Sequence, residues 1–224
     1  MKKFVVIVAG GSGSRMNAPV PKQFLLLSGK PVLMHSVQAF YETYADIHIA
    51  IALPPEQFDA WKDLCSIHAF HIVHQVTAGG ETRFHSVKNA LDFIPDEGMV
   101  AVHDGARPLI SPLLISSIFE TAREKGNAVP VIPVNESIRI ITGSGNKPVN
   151  RQGFCIVQTP QVFPARILKK AYARHYSPEF TDDATVAEAY GEKIHLVNGD
   201  RNNIKLTYPS DLVIAQSIFD AKKS

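Results

Sequence analysis

The sequence predicts an α/β protein, a mostly parallel sheet covered by helices on both faces. Two observations carry this reading. Short apolar runs alternate with segments of helical period, and the first apolar run passes straight into a glycine-rich loop. A length of 224 residues suits one such domain, spanning 1–224, with a sizeable core.

In chain order, the first strand is read at 3–9. It is followed by Gly10-Gly-Ser-Gly-Ser-Arg15-Met16 and then by Pro21-Lys22-Gln23-Phe24. Helices at 32–44 and 56–68 flank a strand at 47–53. A strand at 71–76, a helix at 83–93 and a strand at 99–103 come next. Ser111 before Pro112 is a good N-cap for a helix at 112–125, which Gly126 ends. After a strand at 128–134, the alternation breaks. Segment 135–152 reads as a hairpin with a Gly143-Ser-Gly-Asn146 turn, and it would expose Ile138, Ile140 and Ile141. Either it folds back on the sheet or a second subunit covers it, and a dimer arm is the favoured reading. Helices at 165–175 and 183–190 follow. Thr181 is expected to cap the second of these, with Asp182 and Asp183 in its first turn. A strand at 194–197 and a helix at 209–222 complete the chain.

Composition narrows the function. A net charge of +2 excludes a broad electrostatic footprint for nucleic acid, so the basic residues near the loop read as a local anion site. No apolar run approaches membrane-spanning length, and the apolar stretch after Met1-Lys2-Lys3 is too short for a signal peptide. Two cysteines, Cys65 and Cys155, give neither a disulfide framework nor a metal spacing, and both are read as buried thiols in a reducing cytoplasm. His68, His71 and His74 are evenly spaced but straddle a helix end and a strand, so their rings are not expected to converge on a metal.

The glycine loop marks a phosphate site because glycines let backbone N–H groups approach an anion closely. Arg15 and Lys22 add full positive charge for a polyphosphate. A Walker A loop is excluded, since no Gly-Lys-Ser/Thr triplet follows Gly13. A dinucleotide fingerprint is excluded because Met16 stands where its third glycine belongs and Pro54-Pro55 stand where its acidic residue belongs. Four further clusters fall at strand ends or strand–helix junctions. They are Gly79-Gly80-Glu81-Thr82-Arg83 with Ser86, His103-Asp104-Gly105-Ala106-Arg107-Pro108, Gln158-Thr159-Pro160-Gln161, and Asn203-Ile204-Lys205-Leu206-Thr207. Singly, each has an ordinary explanation as a turn or a solvated charge. Their joint occurrence in this order points to one site beyond the carboxyl ends of the strands.

Together with Ala9-Gly-Gly-x-Gly-x-Arg15-Met16 and Pro21-Lys22-Gln23-Phe24, these segments resemble the 2-C-methyl-D-erythritol 4-phosphate cytidylyltransferase family of the non-mevalonate isoprenoid pathway, over essentially the whole chain. The resemblance implies a Rossmann-like nucleotidyltransferase fold and a homodimer through the β-arm. It also implies attack of a methylerythritol phosphate oxygen on the α-phosphorus of CTP, with Mg²⁺ as the cofactor. It assigns catalysis to Arg15, Lys22, Arg151 and Lys205, with Arg151 acting from the arm. It assigns the nucleotide to Ala9, Gly10, Gly11, Gly13, Gly79, Gly80, Arg83, Ser86, Asp104 and Gly105, with Asp104 serving the metal. Arg107, Ser137, Thr159, Thr181 and Thr207 would hold the polyol phosphate. Two departures stand out. The arm reads Glu136-Ser137-Ile138-Arg139 where many members have Asp-Thr-Ile-Lys, which keeps a hydroxyl at Ser137. Gly10 replaces an alanine, a form also seen in ribitol-5-phosphate cytidylyltransferases, so ribitol 5-phosphate is the alternative acceptor. A non-catalytic nucleotide-binding regulator is the competing reading of another class.

Overall fold

A computed structural model describes residues 1–11, 14–16 and 20–221. Strand β1 (Lys3–Val8) enters first, with Val5, Val6 and Ile7 fully buried, as a strand covered on both faces must be. The short strands β2 (Leu26–Leu27) and β3 (Lys30–Pro31) turn over Ser28 and Gly29, both at positive φ, and deliver the chain into α1 (Val32–Thr43). Strand β4 (His48–Leu53) and α2 (Phe58–Ile67) follow. Strand β5 (Gln75–Ala78) begins four residues later than the apolar pattern suggests. The preceding residues pack around Trp61 instead, whose indole N–H donates to His74 Nε2 at 2.9 Å.

Helix α3 (Arg83–Leu91) is capped by Thr82, and β6 (Met99–Asp104) is buried at every position. Ser111 caps α4 (Pro112–Lys125) as expected, and Gly126 ends it at φ 95°. Then come β7 (Val129–Pro133), the hairpin strands β8 (Ile138–Thr142) and β9 (Gly145–Val149), β10 (Cys155–Val157) and β11 (Gln161–Pro164). Helices α5 (Ala165–Tyr172) and α6 (Asp183–Tyr190), strand β12 (Leu196–Asn198) and helix α7 (Pro209–Ala221) close the chain.

The main sheet runs β11-β6-β1-β4-β5, parallel except for β11, which is antiparallel to β6. Side chains alternate along β1. Val5 and Ile7 pack on one face with residues of α1, α2 and α4, while Phe4 and Val6 pack on the other with residues of α3, α5 and α6. Strand β11 was not expected, because its Pro160-flanked apolar core is only Val162-Phe163. Strands β7 and β12, expected in the same alternation, pair with β10 in a separate three-stranded sheet. The β8–β9 hairpin forms a two-stranded sheet of its own.

The N-cap of α6 is Asp182, not Thr181. Its carboxylate accepts from Thr185 N at 2.9 Å, and Thr185 Oγ1 accepts from Asp182 N at 3.3 Å, a capping box. Asp183 is not a solvated first-turn carboxylate either, being wholly buried.

Candidate active site

Strands β1, β5 and β6 all end on one side of the sheet, and the loops after them enclose a cleft of about 440 Å³. Ala9, Gly10 and Gly11 form one wall of it, and Gly80, Arg83 and Ser86 another. Arg15, Lys22 and Lys205 all line it, although the first and last lie 190 positions apart in the sequence (205 less 15). Asp104 and Thr207 complete the lining named by the sequence. A second chamber of about 260 Å³ contains Arg107, Gln158, Thr159, Thr181 and Asp182. Arg83, Asp104 and Lys205 line both cavities, so the two meet at one cluster of two cations and a carboxylate.

The cluster is tightly paired. Lys205 Nζ lies 2.7 Å from Asp104 Oδ2, and Arg83 Nε donates to Asp104 Oδ1 at 3.2 Å. Burial alone would raise the Asp104 carboxyl, but Arg83, Lys205 and Arg107 outweigh it and hold it well below the usual carboxylate range. Arg107 is 8% exposed, and its Nη1 donates to Asn203 O at 2.8 Å. Its Nε is 3.8 Å from Asp104 Oδ2, too far for a hydrogen bond, and has no hydrogen-bond partner among the described residues. Lys22 reaches Leu206 O at 3.3 Å. Burial, then repulsion from Lys205 and Arg15, lowers its pKa against the opposing pull of Asp104 and Asp211. A cleft in which two neighbouring cations depress a third suits a polyanion. Arg15 sits 5.9 Å from the centre of the Tyr208 ring, at the limit of a cation–π contact.

Several glycines are required by packing. The Gly80 N–H donates to Ser86 Oγ at 3.0 Å, and any Cβ at Gly80 would collide with His85 Cβ. Gly79 and Gly105 lie beside the cleft and do not line it. The Gly79 N–H bonds Leu53 O, and a Cβ on Gly105 would come within 3.0 Å of Leu33 and 3.2 Å of Ala9. Gly13 lies outside the described residues. Ser137 and Arg151 line neither cavity. They belong to the arm, where the Arg151 guanidinium bonds Asn135 O.

The sequence named His103, Gln158 and Asn203 only as parts of motifs, and the structure gives them work around Thr159. Thr159 Oγ1 accepts from Asp104 N at 3.0 Å and lies 3.2 Å from His103 Nδ1. His103 Nε2 is 3.2 Å from Arg107 O, which fits a ring protonated at Nε2 and accepting the Thr159 hydroxyl hydrogen at Nδ1. Burial pushes the His103 ring down to about 4, so it stays neutral. Gln158 donates to Asp200 O and accepts from Asp200 N, and Asn203 donates to Thr159 O at 2.8 Å. These bonds dock the loop that carries Lys205. Asp183 was read only as a helix-end charge, although its place beside buried Ala184, Val186 and Ala187 is a usable signal.

A family model described as IspD, 2-C-methyl-D-erythritol 4-phosphate cytidylyltransferase, matches residues 3–221. A protein of that name from Phocaeicola vulgatus is 50% identical over 216 residues, 96% of this chain and 99% of its own. Another from Bacteroides thetaiotaomicron is 48% identical, over 97% of this chain and all of its own. The crystal structure of 2-C-methyl-D-erythritol 4-phosphate cytidylyltransferase from Thermus thermophilus superposes with a TM-score of 0.79 at 31% identity. It covers 97% of this chain and 98% of that one.

Proposed function

Because this chain belongs to the 2-C-methyl-D-erythritol 4-phosphate cytidylyltransferase family, and so joins CTP to that polyol phosphate with release of pyrophosphate, we propose that the two chambers hold the two substrates and that transfer occurs where they meet. The observation that carries this assignment is the wall shared by Arg83, Asp104 and Lys205. The larger cleft takes CTP. The backbone at Ala9, Gly10, Gly11 and Gly80, with Ser86 and Arg83, faces the nucleoside, while Arg15 and Lys22 clasp the triphosphate. Gly79 and Gly105 shape these walls from behind. The smaller chamber takes the acceptor, with Thr159, Thr181 and Arg107 lining it, and Thr207 approaching from the larger cleft. One acceptor phosphate oxygen forms a bond to the α-phosphorus as the α–β bridging P–O bond breaks, and pyrophosphate departs. Both reactants are anions, so prearranged cations are the main catalytic resource: Lys205 at the α-phosphate, Arg15 and Lys22 on the leaving group.

Asp104, the one carboxylate among the described residues that lines both chambers, already pairs with Arg83 through Oδ1 and Lys205 through Oδ2. It would therefore suit a divalent cation only with the nucleotide's phosphates as the other ligands. Among the described residues no group of three His, Cys, Asp or Glu side chains could hold one alone, but Asp104 presents a carboxylate at the junction. Mg²⁺ is commonly held by one or two carboxylates plus phosphate oxygens and water. Bound there, it would neutralise charge on the phosphate oxygens.

The arm supports a homodimer. Ile140 and Ile141 on the hairpin are exposed, as are Phe154, Ile156 and Val157 beyond it, an apolar surface that a second copy would cover. Arg151 and Ser137 would then reach the partner's acceptor chamber. Among the described residues no helix is long and apolar enough to cross a membrane. The use of CTP and two unpaired thiols favour the cytoplasm, although the thiols are not buried as expected: Cys65 is half-buried and Cys155 is exposed.

Relatives 45–50% identical carry the methylerythritol name, which favours that acceptor over ribitol 5-phosphate. Pyrophosphate release measured with CTP and each acceptor tests the reading. Turnover with methylerythritol phosphate well above that with ribitol 5-phosphate is expected, and CTP binding without turnover would overturn it. For the arm, mixed dimers of Arg151→Ala and Lys22→Ala subunits should regain activity that neither parent has. Verified mixed dimers without recovery would mean that each site is self-contained.

A further inference from the structure

Behind the junction of the two chambers, two buried groups that the transfer step leaves unused, Tyr172 and Asp183, connect to Arg83, Asp104 and Lys205. Tyr172, at the end of α5 and 1% exposed, donates its hydroxyl hydrogen to Asp183 Oδ1 at 2.6 Å. Asp183 accepts from both terminal nitrogens of Arg83, at 3.1 Å from Nη1 and 2.7 Å from Nη2. Arg83 turns its remaining Nε to Asp104 Oδ1, and Asp104 Oδ2 holds Lys205 Nζ. A carboxylate buried whole is costly unless it is paired and hydrogen-bonded. Helix capping does not account for it, because Asp182 already performs that role.

We propose that Asp183, braced by Tyr172, is a positioning residue for the transfer reaction. By occupying the fork of Arg83, it leaves that guanidinium only Nε for Asp104, and the second oxygen of Asp104 stays with Lys205 at the junction. Without Asp183 the fork of Arg83 would close on Asp104 as a bidentate pair, the preferred geometry for guanidinium and carboxylate. Lys205 would then lose the anion that holds it where the chambers meet. The proposal rests on the site assignment above, and a wild-type enzyme without turnover would defeat that assignment before testing this one.

The test is a double-mutant cycle in kcat between Asp183→Asn and Asp104→Asn, repeated with Tyr172→Phe in place of Asp183→Asn. Asp183→Asn is expected to lower kcat about tenfold with KM for CTP changed less than about threefold, and Tyr172→Phe to lower kcat about threefold. In the Asp104→Asn background neither should lower kcat further, because the group they act through is gone. A purely structural role predicts the same loss in both backgrounds, and that additivity would overturn the proposal. If Asp183→Asn fails to give a cooperative melt, the Tyr172→Phe cycle decides alone. An unchanged kcat in folded Tyr172→Phe would then count against the chain.

Discussion

Replacing Lys22 with methionine keeps the aliphatic stem and removes the charge, and the structure gives activity and stability different expected responses. Lys22 is half-buried between Lys205 and Arg15, both of which depress its pKa, and its direct hydrogen bond is the 3.3 Å contact to Leu206 O. Its charge is therefore poorly accommodated in the free protein. Against a phosphate about 4 Å away, an ammonium contributes about 1 kcal/mol in water and about 4 kcal/mol at an effective dielectric of about 20. A half-buried cleft lies nearer the second figure, so a loss of about 3 kcal/mol of transition-state stabilisation, roughly 10²-fold in kcat, is expected. Urea unfolding of the ligand-free variant should shift by no more than about 1 kcal/mol, since relief of repulsion offsets one weak hydrogen bond. Steady-state pyrophosphate release and urea melts on the same samples make the comparison. A variant that loses several kcal/mol of stability together with its activity would make Lys22 a structural residue. Wild-type turnover would remove it from catalysis.

The same lysine sets a pH dependence. Its folded pKa lies below the ordinary value of 10.5, so between the two values the unfolded chain binds a proton that the folded one lacks. Stability of the wild type should therefore rise with pH through that window relative to Lys22→Met. Because kcat/KM reports the free enzyme's groups, its alkaline limb should fall within that window, and a limb at or above 10.5 would contradict the placement. Gly105→Ala should cost about 1–3 kcal/mol in urea melts, because its Cβ meets Leu33 at 3.0 Å, Ala9 at 3.2 Å and Ile7 at 3.3 Å. His74→Ala leaves the buried Trp61 indole N–H without its acceptor and should cost about 1–3 kcal/mol, followed by fluorescence of the chain's single tryptophan. Turnover at 25 °C should change by less than about threefold in that variant, since α2 lies away from the cleft.

Some of this protein is written locally. Short continuous apolar runs mark β1, β4 and β6, and Ser111-Pro112 with Gly126 brackets α4, because runs and caps act over a few residues. Glycines beside Arg15 and Lys22 mark a phosphate site for the same reason, and the ordered motifs at strand ends identify the family. Other features have no local signature. Thr181 and Asp182 are adjacent and both chemically able to cap α6, and only the folded backbone selects Asp182. Strand β11 is too short to read until β6 supplies its partner. Asp183 looks like any acidic residue in a first helical turn until the fold brings in Arg83 from 100 positions away. Pairing, burial and shared charge are properties of distance in space. Residue order sets which chemical groups are present and the succession of elements that carry them, while packing in three dimensions sets which charges share a cavity and which are spent holding others in place.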